Sequence, residues 1–386
     1  MVLTRCSTCF ECLDGARVRR FDMMEMTVSD MFDRKKTADG ARLPMPADFS
    51  LIAGPCSAES LAQLRAVAAF LEDLRRQGYP VEALRAGVWK PRTRPGHFEG
   101  YGEKALDWLR QIRAEFPDLP LMTEVAVPAH AEACLKAGID RFWVGARTVS
   151  NPFTVQALAD GLRGSGLTIR VKNPVSPDLA LWIGAMERLE KAGLKVEAVH
   201  RGFGLYNAAP YRNAPLWELP IELKRRCSGL RVLCDPSHIA GQARYVAEVA
   251  QLAVDLEMDG LMVELHPAPE TALSDAAQQL TPEAFASLLH QLCFKHTHTN
   301  SDRLETLRRL VDEADRELIG VLARRFDLVR QMGAVKKEEN LSVLQLPRWQ
   351  TVLEQRTEWA QAMGMSPEFV KALFRCIHTE SVNLQR

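Results

Sequence analysis

Residues 49–90 read FSLIAGPCSAESLAQLRAVAAFLEDLRRQGYPVEALRAGVWK. A short apolar run, "FSLIAGPCS", gives way to a segment with apolar residues at helical spacing and a glycine after its last turn. A second apolar run, "VEALRAGVWK", follows. The alternation continues down the chain through "PLMTEVA", "RFWVGAR", "TIRVKNP", "VEAVHRGF", "LRVLCDPSH" and "GLMVELHP", separated by helical or long loop segments such as "ARYVAEVAQLAVDLEMDG". Eight such units predict an α/β fold, a (β/α)8 barrel of ~250 residues. A doubly wound sheet is the alternative, but the regularity of the eight units favours closure.

A chain of 386 residues exceeds the ~100–200 of a typical domain, so two domains are expected. The barrel is assigned to 41–292 and a flexible N-terminal extension to 1–40. The polar, aperiodic stretch "CFKHTHTNSD" marks a linker at 293–301, in which His296 and His298 read as solvated. From Asp302 the pattern changes to one long helix with an apolar stripe of Leu304, Leu307, Val311, Leu318, Val321, Leu322, Leu328 and Val329. Two shorter helical segments complete a small all-α domain of three helices at 302–386. Lys and Arg together number 49, as do Asp and Glu, so no net field recruits nucleic acid or an anionic membrane. No apolar stretch approaches the ~18 residues of a membrane span, and no secretory signal is evident. Unevenly scattered cysteines without an export signal predict reduced thiols in a cytoplasm. Cys6, Cys9 and Cys12 form C-x2-C-x2-C, either part of a zinc or iron–sulfur site or simply part of a disordered extension, since no fourth ligand lies nearby.

In a barrel of this kind the C-terminal strand ends carry the chemistry. Here they supply Cys56, Arg85 and Lys90, Glu124, Arg147, Lys172, Arg201, Asp235 and His238, and Glu264. The cations, with Arg92, are too many for one carboxylate and call for substrates of high negative charge, such as phosphate esters. The remainder, Cys56, His238, Glu264 and Asp275, form a plausible divalent metal site. Its thiolate favours Mn²⁺, Fe²⁺, Co²⁺ or Zn²⁺ over Mg²⁺. Cys56 as nucleophile is the weaker alternative, because no histidine is its neighbour in sequence.

"GPCSAES", "KPRT", "VGAR", "VKNP", "HRGF", "DPSH" and the Glu264…Asp275 pair, in this order, resemble 3-deoxy-D-arabino-heptulosonate 7-phosphate (DAHP) synthase of the compact class, over roughly residues 49–285. "KPRT" separates it from the related 3-deoxy-D-manno-octulosonate 8-phosphate synthases, the alternative reading; Arg94 stands where the family commonly has Ser. The resemblance implies condensation of phosphoenolpyruvate with erythrose 4-phosphate. It would give Arg85, Lys90, Arg147, Lys172 and Arg201 to phosphoenolpyruvate, and Arg92 and Thr93 to the aldose phosphate. Gly145, Ala146 and Asp235 would complete the substrate set. Lys90 and Glu124 become the candidate catalytic residues, and Cys56, His238, Glu264 and Asp275 the metal ligands.

The tail, with "LRRLVDEAD", "ARRFDLV", "GAVKK" and "ESVNLQ", resembles the all-helical chorismate mutase. The resemblance makes Arg325, Lys336 and Gln385 catalytic and Arg308, Arg348 and Ser381 chorismate-binding. Trp349 and Gln345 stand where that family often has acidic residues. Arg308 and Arg325 are 17 residues apart, ~25 Å along a straight helix and ~100° apart around it. They cannot share one small substrate within one chain, so a homodimer or higher oligomer through the helical domain is expected. The expectation is a bifunctional, feedback-regulated shikimate-pathway enzyme; the alternative makes the tail a non-catalytic sensor and dimerisation module.

Overall fold

A computed structural model describes residues 44–92, 95–205, 210–295 and 302–385, with the backbone alone for 302–304. The N-terminal cysteines Cys6, Cys9 and Cys12, Thr93, Arg94, His296 and His298 lie outside the described residues. The chain divides into two compact units, 1–296 and 297–386.

The first unit is a closed barrel of eight parallel strands in sequential order. They are β1 Ser50–Gly54, β2 Val81–Arg85, β3 Leu121–Glu124, β4 Arg141–Val144, β5 Thr168–Lys172, β6 Lys195–His200, β7 Val232–Cys234 and β8 Gly260–Glu264. The last strand closes on the first with Gly54 opposite Glu264. Outside lie α1 Leu61–Arg76, α2 Glu103–Glu115, α3 Pro128–Lys136, α4 Ala146–Val149, α5 Pro152–Gly161, α6 Leu179–Lys191, α7 Glu218–Arg226, α8 Pro236–Ala240, α9 Ala243–Asp255 and α10 Pro282–Gln291. Side-chain oxygens start several of these helices. Ser60 accepts from Gln63 N, Asp178 from Leu181 N and Thr281 from Ala284 N. The barrel interior is filled by Ile52, Ala83, Met122, Trp143, Val199, Leu233 and Met262. Alternate strand residues face the helices in a second, larger cluster.

Below that apolar layer, at the N-terminal mouth, sits an ionic floor. Arg170, 1% exposed, pairs with Glu82 and, at 2.7 Å, with Glu197. Arg141 reaches Glu82 at 2.9 Å, and Arg231 reaches Glu197 at 2.9 Å. Burial by itself would raise the Glu82 carboxyl, but Arg170, Ser50 and Arg141 outweigh it and hold the group below its usual range. Replacing Arg170 with alanine removes the buried cation that Glu82 and Glu197 share and leaves each only its more exposed partner, Arg141 or Arg231, beside a buried gap. The barrel should lose ~3–5 kcal/mol, read from its denaturant midpoint by the fluorescence of buried Trp143 and Trp182. Glu82 supplies stability above its unfolded-state value, and that stability is lost as the pH falls through the lower folded value. Without Arg170 its carboxylate can relieve the strain by taking a proton. The deficit of the variant should therefore shrink as the pH is lowered toward ~4.

The second unit consists of α11 Asp302–Glu338, α12 Leu346–Ala362 and α13 Pro367–Asn383. Gly333 is buried near the C-terminal end of α11, and a Cβ there would lie 2.9 Å from Gln385 Cα, so the chain end packs directly on α11. Of the expected apolar stripe, Val329 is buried, whereas Leu307, Val311, Leu318, Val321 and Leu328 are at least half exposed in the single chain. α11 has 37 residues, and α12 and α13 have 17 each. Among the described residues no helix is long and apolar enough to cross a membrane.

Candidate functional site

β1 leaves the barrel through Gly54, at φ +147°, where a Cβ would lie 2.1 Å from Arg85 O. That close passage carries Cys56 over the end of β2. Its N–H donates to Gln279 Oε1 at 3.0 Å, its carbonyl accepts from Lys90 Nζ at 2.9 Å, and its sulfur lies 3.1 Å from the same Nζ. Burial first, then Glu264, push the Cys56 thiol up to about 12 against the pull of Lys90 and Arg85. A thiol held protonated is a poor nucleophile, whereas a metal ion would displace its proton. The ligand reading gains over the nucleophile.

Cys56, Glu264 and Asp275 bring one ligand atom each within 4.8 Å of one another. Glu264 Oε1 is buried with no hydrogen-bond donor and lies 3.2 Å from Arg85 Nη2. His238, the fourth expected ligand, is not in this tight group; its Nδ1 is 3.9 Å from Glu264 Oε1 and 2.8 Å from Asp235 Oδ2. The "DPSH" sequence explains its place. Asp235 caps α8 by accepting from His238 N at 3.0 Å, with Pro236 in the first turn, so the imidazole projects back over the capping carboxylate. Burial pushes His238 below the usual imidazole range and Asp235 opposes it only in part, a shift toward the neutral form that ligates. A thiol, an imidazole and two carboxylates, one with an unsatisfied buried oxygen, fit a divalent cation of the manganese-to-zinc range.

Around this cluster the strand ends form a cleft lined by Lys90, Arg92, Arg147, Lys172, Arg201 and Arg212, with Glu124, Gly145, Ala146, His238 and Asp275. Arg85 lies deeper, and its Nε and Nη1 are buried without partners. Lys172 Nζ pairs with Asp235 Oδ2 at 2.7 Å. Burial pushes Lys172 below the usual lysine range, and Asp235 opposes that. Glu124 Oε2 accepts from Trp143 Nε1 at 3.1 Å. A Cβ at position 145 would lie 2.1 Å from Glu124 Oε1, so only glycine leaves that carboxylate its place.

Four residues in the site escaped the sequence reading. Arg212 meets Asp275, Asn213 joins Arg201 Nη1 at 2.9 Å to the His238 carbonyl at 2.6 Å, and Gln278 and Gln279 hold Glu264 and Cys56. The "YRN" triplet and the "QQ" doublet were the only signals, and neither has a period.

In the helical unit Arg325 Nη1 donates to Ser381 Oγ at 2.7 Å, and Lys336 Nζ donates to Gln385 Oε1 at 2.8 Å and to Val343 O at 2.7 Å. Trp349 stacks on His378 with ring centroids 3.8 Å apart. Arg308 and Arg348 are exposed in the single chain.

The DAHP synthetase I family model matches residues 45–299. The chain belongs to that family. The DAHP synthetase barrel is followed by a chorismate mutase type II domain, whose model matches 307–386. A phospho-2-dehydro-3-deoxyheptonate aldolase of Thermotoga maritima is 32% identical over 249 residues, covering 63% of this chain and 69% of that protein. A crystal structure of DAHP synthase from the same organism superposes with a TM-score of 0.56 at 28% identity, covering 69% of this chain and 70% of the other. A 2-dehydro-3-deoxyphosphooctonate aldolase of Nitratidesulfovibrio vulgaris is 26% identical over 278 residues, 66% of this chain and 95% of its own. The helical part is 32% identical over 78 residues to a T-protein of Enterobacter agglomerans, 21% of whose length it spans.

Proposed function

We propose that the barrel condenses phosphoenolpyruvate with erythrose 4-phosphate to DAHP and inorganic phosphate, and that the helical domain rearranges chorismate to prephenate. The observation that supports the first reading best is the cleft itself, six cationic side chains around a thiol and carboxylate cluster. Two phosphate esters and a carboxylate need that many cations. Arg85, Arg147, Lys172 and Arg201 hold phosphoenolpyruvate, the unpartnered Arg85 N–H groups being donors in waiting. Asp235 orients Lys172, and Gly145 and Ala146 floor the cleft. Arg92, with Thr93, takes the aldose phosphate. Cys56, His238, Glu264 and Asp275 would hold a divalent ion, which when bound polarises the aldehyde as a Lewis acid.

The chain's own groups do the rest. C3 of phosphoenolpyruvate bonds to the aldehyde carbon, and the carbonyl pair moves to oxygen, where Lys90 Nζ can deliver a proton. Lys90 is fit for this. Burial would lower it, but its negatively charged neighbours, the carboxylates of Glu124 and Glu264 among them, outweigh burial and hold it above its usual range. Water then adds to C2 and yields its proton to Glu124, which Trp143 holds in place. Loss of phosphate leaves the ketone at C2. Lys172→Ala and Arg201→Ala should each weaken phosphoenolpyruvate use by ~1.5–3 kcal/mol, a ten- to hundredfold fall in kcat/KM. Unchanged kinetics in both would contradict the assignment.

In the helical domain Arg325, Arg348 and Ser381 hold chorismate, and Lys336 and Gln385 hydrogen-bond the ether oxygen as its bond breaks. Arg308 completes the site from a second copy of the chain, and the exposed stripe of α11 is the surface that would join the copies. The enzyme acts in the cytoplasm. Chorismate or prephenate in the helical domain restrains the barrel, a coupling of ~1–3 kcal/mol. Prephenate should inhibit the synthase reaction of the full chain and leave a chain ending at His296 untouched; equal inhibition of both would place the effect in the barrel.

A further inference from the structure

We propose that Arg212 and Gln278 form a positioning relay that occupies one oxygen of each carboxylate ligand, so that Glu264 and Asp275 each face the metal through a single oxygen. The inference rests on the metal site proposed above.

Gln278 sits in the short 3-10 turn Ala276–Gln278 and is 1% exposed. Its Nε2 donates to Glu264 Oε2 at 2.7 Å, and its Oε1 accepts from Arg212 Nη1 at 2.8 Å. These two partners fix the amide's orientation, since turning it over would set oxygen against carboxylate and N–H against guanidinium. The same Arg212 Nη1 lies 3.2 Å from Asp275 Oδ1. The other two oxygens are differently placed. Glu264 Oε1 accepts no hydrogen bond and has the Arg85 guanidinium 3.2 Å away, and Asp275 Oδ2 accepts from Cys56 Sγ at 3.3 Å. The occupied oxygens thus face the relay, and the remaining two are left to the cluster.

The relay is built into the backbone as well. Arg212 N donates to Ile239 O at 3.1 Å, tying it to the short helix that carries His238. Its stem passes over Gly241, at φ +69°, where a Cβ would lie 2.3 Å from Arg212 Cβ. Asp275 itself sits in the left-handed region, at φ +48°, a conformation that aspartate adopts more readily than most non-glycine residues.

The chemical consequence is coordination number. A carboxylate with both oxygens free can close on a cation through two bonds. If both did so beside a thiolate and an imidazole, the protein would supply six donors. An ion that prefers six ligands would then have no position left for substrate. One oxygen each leaves positions open.

The test is metal binding by the full chain, without substrate. Mn²⁺ affinity is measured by competition with a chelator, and the Co²⁺-loaded protein by its visible and thiolate-to-cobalt absorption. Gln278→Ala and Arg212→Met should each weaken Mn²⁺ binding ~10–100-fold and alter the Co²⁺ spectrum; metal-free Arg212→Met should unfold at nearly the wild-type temperature, whereas Gln278→Ala leaves a buried Glu264 oxygen without its donor and should unfold lower. Arg212→Lys, which keeps the charge on a shorter side chain, should fall between, since both contacts of Arg212 run through the one nitrogen Nη1. Arg212 is 44% exposed, so Arg212→Met decides the matter even if Gln278→Ala does not fold. Wild-type affinity and spectrum in Arg212→Met would overturn the relay and leave the metal site standing. A wild-type protein that takes up neither ion would remove the metal site and the relay with it.

Discussion

Cys56→Ala is expected to abolish the synthase reaction while chorismate rearrangement continues at the wild-type rate. Substitution removes the sulfur and little else. The backbone N–H keeps its bond to Gln279 and the carbonyl keeps Lys90, because both contacts are main-chain. The fold around the site should therefore survive. What is lost is the soft member of the ligand set, and with it the polarisation of the aldehyde. Lewis-acid stabilisation is worth several kcal/mol, so the expected fall in kcat is ~10³-fold or more. Metal content of the purified variant should drop in parallel. Exhaustive chelation of the wild type should reproduce the same loss, and Mn²⁺ or Co²⁺ should reverse it only in the wild type. A Cys56→Ala enzyme that kept both its metal and its rate would make the thiol a bystander.

Arg308→Ala and Arg325→Ala chains are each expected to lose mutase activity by roughly a hundredfold, from ~3 kcal/mol of carboxylate binding, and to recover it when mixed. The argument is geometric. Both arginines lie on α11, 17 residues apart. Arg325 meets Ser381 of its own chain, while Arg308 is exposed. A site that needs both must borrow one from a second copy. After subunit exchange half of the dimers are mixed, and each mixed dimer has one site with both arginines and one with neither. Recovery should therefore approach about a quarter of the wild-type rate for a twofold-symmetric pair. Verified exchange with no recovery would show that the sites are not shared. The synthase rate should be unchanged throughout, since neither residue belongs to the barrel.

The barrel was legible because its signal is repeated. Eight apolar runs ending in charged or ligating residues place those residues at one rim once closure is assumed, and Cys56, Arg85, Glu124, Lys172 and Glu264 all lie there. "DPSH" was legible only as a strand end and a motif; the Asp cap and the Pro that aim the histidine came from the structure. Residues that act through loops were not legible. Arg212, Asn213 and Gln278 have no periodic neighbours, and their partners lie on other strand ends, loops and turns, 12 to 66 residues away, so nothing in their surroundings indicates where they point. Trp143 illustrates a further limit. Its run reads as an interior strand, and so it is, yet its Nε1 also holds Glu124. On α11 the pattern gave the stripe but not its cover, because periodicity reports which face is apolar and says nothing of what packs against it.

The most direct test of the account follows phosphoenolpyruvate loss and phosphate release by the full chain with erythrose 4-phosphate or arabinose 5-phosphate as partner, before and after chelation. The expected result is one phosphate released per phosphoenolpyruvate consumed with erythrose 4-phosphate, little turnover with arabinose 5-phosphate, and none in the chelated enzyme until Mn²⁺ or Co²⁺ is returned. Full turnover in exhaustively chelated enzyme, or a preference for the five-carbon aldose, would contradict it.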